Sequence, residues 1–558
     1  MDKLRFIAIS GTIDVTENLY IYEYQPDRGS AEIIVLDCGV GFPEEATFGV
    51  DLVIPDFSYL VKNKEKIKGV FISHAHEDHF GAIPFLLDVL PDVKIYSSQL
   101  VAGFIEDKLL DYGIRGKKVN IIDPESGPVA AGSFIIDAFR ITHSVPDSLG
   151  FSITTPVGRA FHVPDFKFDW TPVDGKPFDI AKAANLAKGG VLFMASDSLG
   201  ATSEGYTMSE IDIEKNIAAI IKEAKGRIFF TTISSNISRM QQAINICQNL
   251  GKKAIFIGRS IERKAEIART LGHLTYDNKT VVSIKQADSL PPDKILYLIS
   301  GCYGQVGSAL YRVSIDEHQF LKVKPGDVVV FSADPAPPGT GQTTNYVVDN
   351  LIERGAEVHY YDTQEDLHVS GHGSQKDIEM LLALVRPKYL VPIGGTIRHN
   401  RLYSALAQKM GWEKEQTLEL KHGDVVEFTR DGKVKNGEHI PVKSLLVDGL
   451  GLGDVGEVVL SDRKTLAKEG VVIVVMQTDK TSGNLVGEPE LISRGFVFMK
   501  ENKSFLERAG GAVANEIRAR SRRKEGRDMK HLSVEFLERF FFEETGRRPM
   551  ILPVIVEK

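Results

Sequence analysis

Residues 70–87 read Val70-Phe-Ile-Ser-His74-Ala-His76-Glu-Asp78-His79-Phe-Gly-Ala-Ile-Pro-Phe-Leu-Leu87, and this stretch decides the reading of the chain. Three imidazoles and a carboxylate fall within six residues of a chain that holds only 14 His in 558. The apolar run Val70 to Ile72 predicts a buried strand, and an apolar stretch of helical length follows, so the polar groups are predicted on a strand-to-helix turn. Neutral imidazole and carboxylate suit zinc. Four convergent ligands exceed the three that a catalytic zinc usually takes from protein, which points to a pair of metals. The competing reading, a solvated turn that happens to be rich in His, fails on the density of His in so short a stretch.

Four groups on one turn cannot enclose two ions, so further ligands are expected downstream. His143, in Ile-Thr-His143-Ser-Val-Pro-Asp147, follows an alternating segment from Phe134 to Ile141, and Asp165, in His-Val-Pro-Asp165-Phe-Lys-Phe-Asp169, follows another strand-like run. A His at a strand end can complete a first tetrahedron, and a carboxylate there can bridge two cations. Taken singly each signal is weak, since a lone His before Ser-Val-Pro is more often a turn residue. Beside His-x-His-x-Asp-His they become candidate ligands.

Composition sets the outer limits. At 558 residues, 43% apolar and 25% charged, the chain is predicted to hold three or four globular lobes. Three widely spaced cysteines, Cys38, Cys247 and Cys302, argue against a disulfide framework and for a reducing compartment. No apolar run reaches the roughly 18 residues of a membrane span, and the N-terminal residues lack the apolar core of a signal peptide, so a cytoplasmic location without membrane attachment is expected. The net charge of −8 does not exclude a nucleic-acid substrate, because a basic channel needs only local charge and bound metal ions add positive potential. The basic stretch Arg518 to Arg527 reads as a solvated helix face rather than an RNA contact. The Gly-rich words at 449–453 and 337–341 lack phosphate-loop spacing and read as turns, and the apolar stretch 534–542 reads as core or subunit contact.

The order His-x-His-x-Asp-His, His143-Ser-Val-Pro-Asp-Ser, Asp165-Phe-Lys-Phe-Asp169, Ser196-Asp-Ser, Leu367-His368-Val-Ser-Gly-His372-Gly and Asp448-Gly-Leu-Gly-Leu-Gly resembles ribonuclease J. The likeness runs from Leu36-Asp37-Cys38-Gly39 to the word at 492–499. It implies an α/β fold, with a metallo-β-lactamase αββα sandwich, an inserted doubly wound β-CASP domain and a small C-terminal α/β domain. The predicted boundaries are 1–196 and 358–442 for the two parts of the sandwich, 197–357 for β-CASP, 443–461 for a linker and 462–558 for the C-terminal domain. Alternation of helical and strand-like stretches supports doubly wound patterning: helices over 209–224 and 237–250, strands over 227–232 and 253–257.

The resemblance further implies a dizinc ribonuclease. One zinc would be held by His74, His76 and His143, the other by Asp78 and His79, with Asp165 bridging, and Asp37 would be a carboxylate behind the ligands that fixes an imidazole tautomer. Asp78 and Asp165 thus serve the catalytic centre. His368 matches a histidine taken to protonate the leaving oxygen or steady the transition state. Ser370, Gly371 and His372, with His368, Ser235, Asn236 and Arg239, are implied as a pocket for the RNA backbone or its 5′ monophosphate. Homodimers or homotetramers through the C-terminal domain are implied too.

Departures from the family pattern carry their own expectation. Where the family usually has Pro-Val-His-Gly-Glu, this chain has Pro392-Ile393-Gly394-Gly395-Thr396, so Gly394 stands at a zinc-ligand position. His399 does not replace it. The loops Ser10 to Asn18 and Ser300 to Gln305 also differ, and the three changes are expected near one cleft. Activity is expected to be retained but weakened, with the second ion exchanging readily or being Mn2+ in place of Zn2+. Three functions stay open: an RNA-processing nuclease with endonuclease and 5′ to 3′ exonuclease action, a weakly active or inactive ribonuclease J paralogue serving as partner subunit, and a small-molecule metallo-hydrolase. The last leaves the β-CASP words and the C-terminal domain unexplained.

Overall fold

A computed structural model of the chain describes residues 2–43, 49–287, 289–333, 341–449, 451–452, 457–496, 503–522 and 528–558. The word at 337–341 lies outside the described residues except for Gly341, as do Gly453, residues 497–499 and the basic residues 523–527.

Two sheets face each other. The larger runs, in spatial order, Val434–Asn436, Val425–Thr429, Lys3–Ala8, Tyr20–Gln25, Glu32–Leu36, Ile67–Phe71, Ile95–Ser97 and Asn120–Ile121. The second runs Tyr389–Ile393, Phe193–Asp197, Arg159–Val163, Leu149–Thr154, Phe134–Arg140 and Val129–Ala131. Alternating apolar residues of both sheets meet in one core that includes Phe6, Tyr22, Ile34, Phe71, Phe151, Phe193 and Phe428. Phe193 and Phe428 stack across it with ring centroids 4.3 Å apart. Burying one such ring contributes roughly 2–3 kcal/mol. Behind the second sheet, helices Ile180–Ala187, Gln375–Val385 and Ile397–Lys409 close a second core around Phe139, Phe161, Phe166 and Leu382. Helix Gln99–Asp111 packs on the strands at the edge of the larger sheet. The result is an αββα sandwich.

Strand register determines which residues can meet. Arg159–Val163, Phe193–Asp197 and Tyr389–Ile393 are parallel neighbours, with Val163 opposite Ser196 and Asp197 opposite Ile393. Their carboxyl ends therefore lie at one edge, and the residues that follow or end them are Asp165, Asp197 and Gly394. In the other sheet Leu36 pairs in parallel with Phe71, so Asp37 emerges beside Ser73 and His74.

The inserted domain is a fully parallel sheet in the order Lys253–Ile257, Ile295–Ile299, Ile228–Thr231, Val328–Phe331 and Glu357–His359. Its first helices are Glu210–Glu223 and Ile237–Leu250, and its first two strands Ile228–Thr231 and Lys253–Ile257, within a residue of the sequence expectation. Parallel strands buried on both faces read as apolar runs, and Ile228, Phe229 and Phe230 are all fully buried.

Residues 1–42 and 53–445 form one compact unit, and residues 43–52 group with 446–558 in a second. In the second unit the strands Leu485–Arg494, Val471–Thr478 and Met550–Glu557 form a sheet, with helices Lys503–Arg522 and Met529–Thr545 covering Val472, Val474 and Met476. Leu537 and Phe541 of the 534–542 stretch are core residues here. The opposite face of the sheet leaves Leu552, Val554 and Val556 exposed.

Candidate metal centre

The strand Ile67–Phe71 ends just before His74, and the short helix Glu77–Phe80 begins after His76, so the cluster sits on the expected strand-to-helix turn. His74, His76, His143 and Asp165 present ligand atoms within 4.8 Å of one another, as do Asp78, His79 and Asp165. Asp165 belongs to both groups.

Each imidazole is oriented from behind, that of His76 by Ser144, whose Oγ lies 3.2 Å from its Nε2. Nδ1 of His79 donates to Asp37 Oδ2 at 2.8 Å, leaving Nε2 to face Asp165 at 3.4 Å and Asp78 at 3.5 Å. Ser73 Oγ donates to the same Asp37 oxygen at 2.8 Å and lies 3.0 Å from His74 Nδ1, so it accepts from that nitrogen. His143 Nδ1 donates 2.7 Å to the Gly371 carbonyl, and its Nε2 lies 3.0 Å from His76 Nδ1. A carboxylate or carbonyl taking the rear N–H of an imidazole is the usual arrangement behind a metal-binding histidine. Asn18, the last residue of the altered loop Ser10 to Asn18, also reaches the cluster: its amide lies 3.1 Å from His79 Nε2 and its Oδ1 accepts from Tyr20 at 2.7 Å.

Electrostatics agree with a site prepared for cations. Burial and neighbouring imidazoles hold His74 well below the ordinary histidine range, and burial brings His143 to about 4 against the pull of Asp165. Both are neutral donors at pH 7. Burial pushes Asp78 up to about 6 although His79 opposes it. Asp165 is held well below the carboxylate range because His79 and His372 outweigh its burial. Nε2 of buried His74 has no hydrogen-bond partner among the described residues and points at Asp165 Oδ2, 3.6 Å away. A buried nitrogen left without a partner is costly in a dry site and satisfied by a metal. The residues present thus fit divalent ions.

A third group, Asp165, Asp197 and His372, also converges within 4.8 Å. His372 Nδ1 donates to Asp197 Oδ2 at 2.8 Å and its Nε2 lies 3.9 Å from Asp165 Oδ2. The imidazole standing at the ligands is His372, whereas His368 lies near Glu210, whose carboxyl it helps to depress.

Gly394 has φ +68°, and a Cβ there would lie 3.5 Å from Asp197 Oδ1 and 3.6 Å from Asp165 Oδ1. Its N–H donates to the Gly11 carbonyl at 2.8 Å, and Asn400 Nδ2 donates to the Thr12 carbonyl at 2.6 Å. Two of the altered loops therefore meet. For the third, Gly304 packs instead on the backbone of Thr343 and Thr344 in the inserted domain.

Ser235 and Asn236 follow the carboxyl end of the central parallel strand Ile228–Thr231, where open α/β sheets bind ligands. Ser235 and Asn236 are buried, and Asn236 caps the helix Ile237–Leu250 by accepting from Arg239 N at 2.9 Å. Ser370 is exposed. Arg239 is fully buried, donating to Glu210 Oε2 at 2.5 Å, Ser332 Oγ at 2.6 Å and the Leu367 carbonyl at 3.1 Å. Its guanidinium is thus occupied by a carboxylate, a hydroxyl and a carbonyl.

Comparison with known proteins places this scaffold and cluster in the β-lactamase superfamily, whose domain matches residues 33–232. Residues 225–351 match the ribonuclease J β-CASP domain and 458–558 the ribonuclease J C-terminal domain. The chain is 36% identical to ribonuclease J of Thermus thermophilus, covering 100% of this chain and 96% of that one. It is 34% identical to ribonuclease J2 of Bacillus subtilis, covering 100% and 99%. It therefore belongs to the ribonuclease J family. A solved structure of a protein of unknown function from Enterococcus faecalis shares the fold at 15% identity, with TM-score 0.54 over 76% of this chain and 100% of that one.

Proposed function

We propose that this protein is a metal-dependent ribonuclease that hydrolyses RNA phosphodiester bonds, by internal cutting and by 5′ to 3′ trimming, in RNA maturation and decay. The observation that carries the reading is the pair of ligand groups sharing Asp165, with every rear nitrogen satisfied. His74, His76 and His143 would hold one Zn2+, and Asp78 and His79 the other, with Asp165 between them. When bound, such a pair of cations activates water and stabilises both oxygens of an in-line displacement. His372, steadied by Asp197, would hold a proton near the leaving oxygen, a role that the family resemblance gives to His368. Asp37 keeps His79 and, through Ser73, His74 in the tautomers that turn Nε2 towards the ligand carboxylates.

For the RNA end, Asn236 Nδ2 and the hydroxyls of Thr231 and Thr232 are buried without partners among the described residues, at the amino end of a 14-residue helix. Helix amino ends with free donors suit phosphate. With Ser235, His368, Ser370 and Gly371, they support a pocket for a 5′ monophosphate. Buried free thiols, and the absence of any membrane-crossing helix among the described residues, favour the cytoplasm. The apolar face of the C-terminal sheet favours a homodimer or homotetramer.

Gly394 favours a second reading, a weakly active paralogue that serves as partner subunit to another ribonuclease J, because no side chain there reaches towards Asp165. Incubating purified protein with 5′-monophosphate and 5′-triphosphate RNA in Zn2+ or Mn2+, with product sizing over time, separates the two. Chelator-sensitive cleavage, faster on the monophosphate, is the expected result. No cleavage with either metal leaves the partner-subunit reading, and equal trimming of both RNAs removes the pocket.

A further inference from the structure

Four charged side chains are buried together between the sandwich and the inserted domain. Lys167, two residues after Asp165, donates to Glu210 Oε1 at 3.0 Å and lies 3.8 Å from Asp169. Glu210 takes Arg239 on its other oxygen at 2.5 Å, and its backbone N–H donates to Asp169 Oδ2 at 3.0 Å. All four are at most 2% exposed. Two cations and two carboxylates cancel, and burial without cancellation would be prohibitive. Among these pairs the carboxyl of Glu210 is held at about 2, because Lys167, Arg239 and His368 outweigh its burial.

Arg239 has a second attachment that charge balance does not require. Its Nη1 reaches Ser332 Oγ at 2.6 Å and the Leu367 carbonyl at 3.1 Å, and Ser332 Oγ donates to that carbonyl at 2.6 Å. Leu367 opens the turn that carries His368, Ser370, Gly371 and His372. The far end of the turn is tied to the sandwich: the Gly371 carbonyl to His143, His372 to Asp197, and Gly373 N to the Phe166 carbonyl at 2.5 Å. The turn is thus stretched between two anchors, and Lys167 joins them through the strand end that carries Asp165.

We propose that Arg239, fixed by Glu210 and Lys167, is a positioning residue that sets the 367–373 turn against the metal ligands. Its guanidinium is a rigid fork that serves a carboxylate, a hydroxyl and a carbonyl at once, and a lysine cannot reproduce that geometry. The catalytic part of this claim rests on the ribonuclease reading. The structural part does not.

The test uses the full chain with metal. Arg239→Lys keeps the charge and loses the fork. The expected result is faster hydrogen–deuterium exchange over 367–373, unchanged metal content, and kcat lowered on the order of 100-fold with KM for RNA near wild type. Glu210→Leu combined with Arg239→Met removes one charge of each sign, leaves Lys167 with Asp169, and leaves the Leu367 carbonyl its bond from Ser332. That variant is expected to melt near wild type while the turn still exchanges fast and kcat stays low. Wild-type exchange in either folded variant overturns the proposal, as does loss of metal from Arg239→Lys, which would move the effect to Asp165. A double variant that does not fold would make the network a folding element and overturn it too. If the wild type cleaves no RNA, the ribonuclease reading fails while the exchange experiment still decides this one.

Discussion

The Gly371 carbonyl accepts the Nδ1 proton of His143 at 2.7 Å, so a turn 228 residues away selects the tautomer of a metal-type histidine. The approach is possible only because residue 371 has no side chain. A Cβ there would lie 2.5 Å from His143 Cε1 and 2.7 Å from Nδ1.

Gly371→Ala is therefore expected to push the His143 ring out of line without touching any other ligand. Affinity at the site of His74, His76 and His143 should fall roughly 10–100-fold, the usual cost of losing an outer partner of a ligand. Titration of the metal-free variant with Zn2+ checks this. An unchanged affinity would show that the ring can turn without cost.

His76→Ala should abolish cleavage and leave the fold intact. His76 lies on a turn outside the main core, whose stability comes from rings such as Phe6, Phe71 and Phe193. One ion should be lost from the metal content, with the melting temperature close to wild type. Undiminished turnover in this variant would sink the metal assignment.

The buried pairs around Glu210 make an acid-sensitive element. Its carboxyl is depressed from the ordinary 4.5 to about 2, because Lys167, Arg239 and His368 outweigh its burial, with the Asp169 carboxylate beside it. A depressed carboxylate contributes stability that is fully present above its unfolded value and lost as pH falls through the folded one. That contribution, on the order of 3 kcal/mol, should thus fade between about pH 4.5 and 2. Glu210→Gln should show a shallower loss of denaturation midpoint over that window than wild type. Parallel curves would assign acid unfolding to other carboxylates.

Much of the centre was legible because its parts are local. His74 to His79 occupy one turn, and His143 and Asp165 each follow an alternating or apolar run that announces a strand end. Asp197 and His372 were harder to join. They are 175 residues apart, and only the parallel register of three strands brings Asp165, Asp197 and Gly394 to one edge. The burial of Arg239 is hidden from the sequence for a related reason. Its word, Ser235-Asn236-Ile-Ser-Arg239, is implied as part of a pocket by the family resemblance, while the carboxylate that pairs with it lies 29 residues earlier, at the first position of a helix. Sequence shows residue types and local period, but not which charges a tertiary contact will neutralise.

Gly394→His is the sharpest test of the altered site. The position borders Asp197 and Asp165 at ordinary contact distance, so a side chain can enter without displacing either carboxylate. The backbone opposes it: φ is +68°, and a non-glycine residue in that region costs roughly 1–2 kcal/mol. A new imidazole on the ion shared by Asp78, His79 and Asp165 should outweigh this in metal affinity, because metal-ligand bonds are worth more than one backbone strain. The expected outcome is tighter binding at the second site, and cleavage raised most where metal is limiting. Calorimetric titration beside a cleavage assay, on wild type and variant, measures both. Two full-affinity sites in the wild type would mean that another residue already completes the second ion, and the weakened-site account of Gly394 would be wrong.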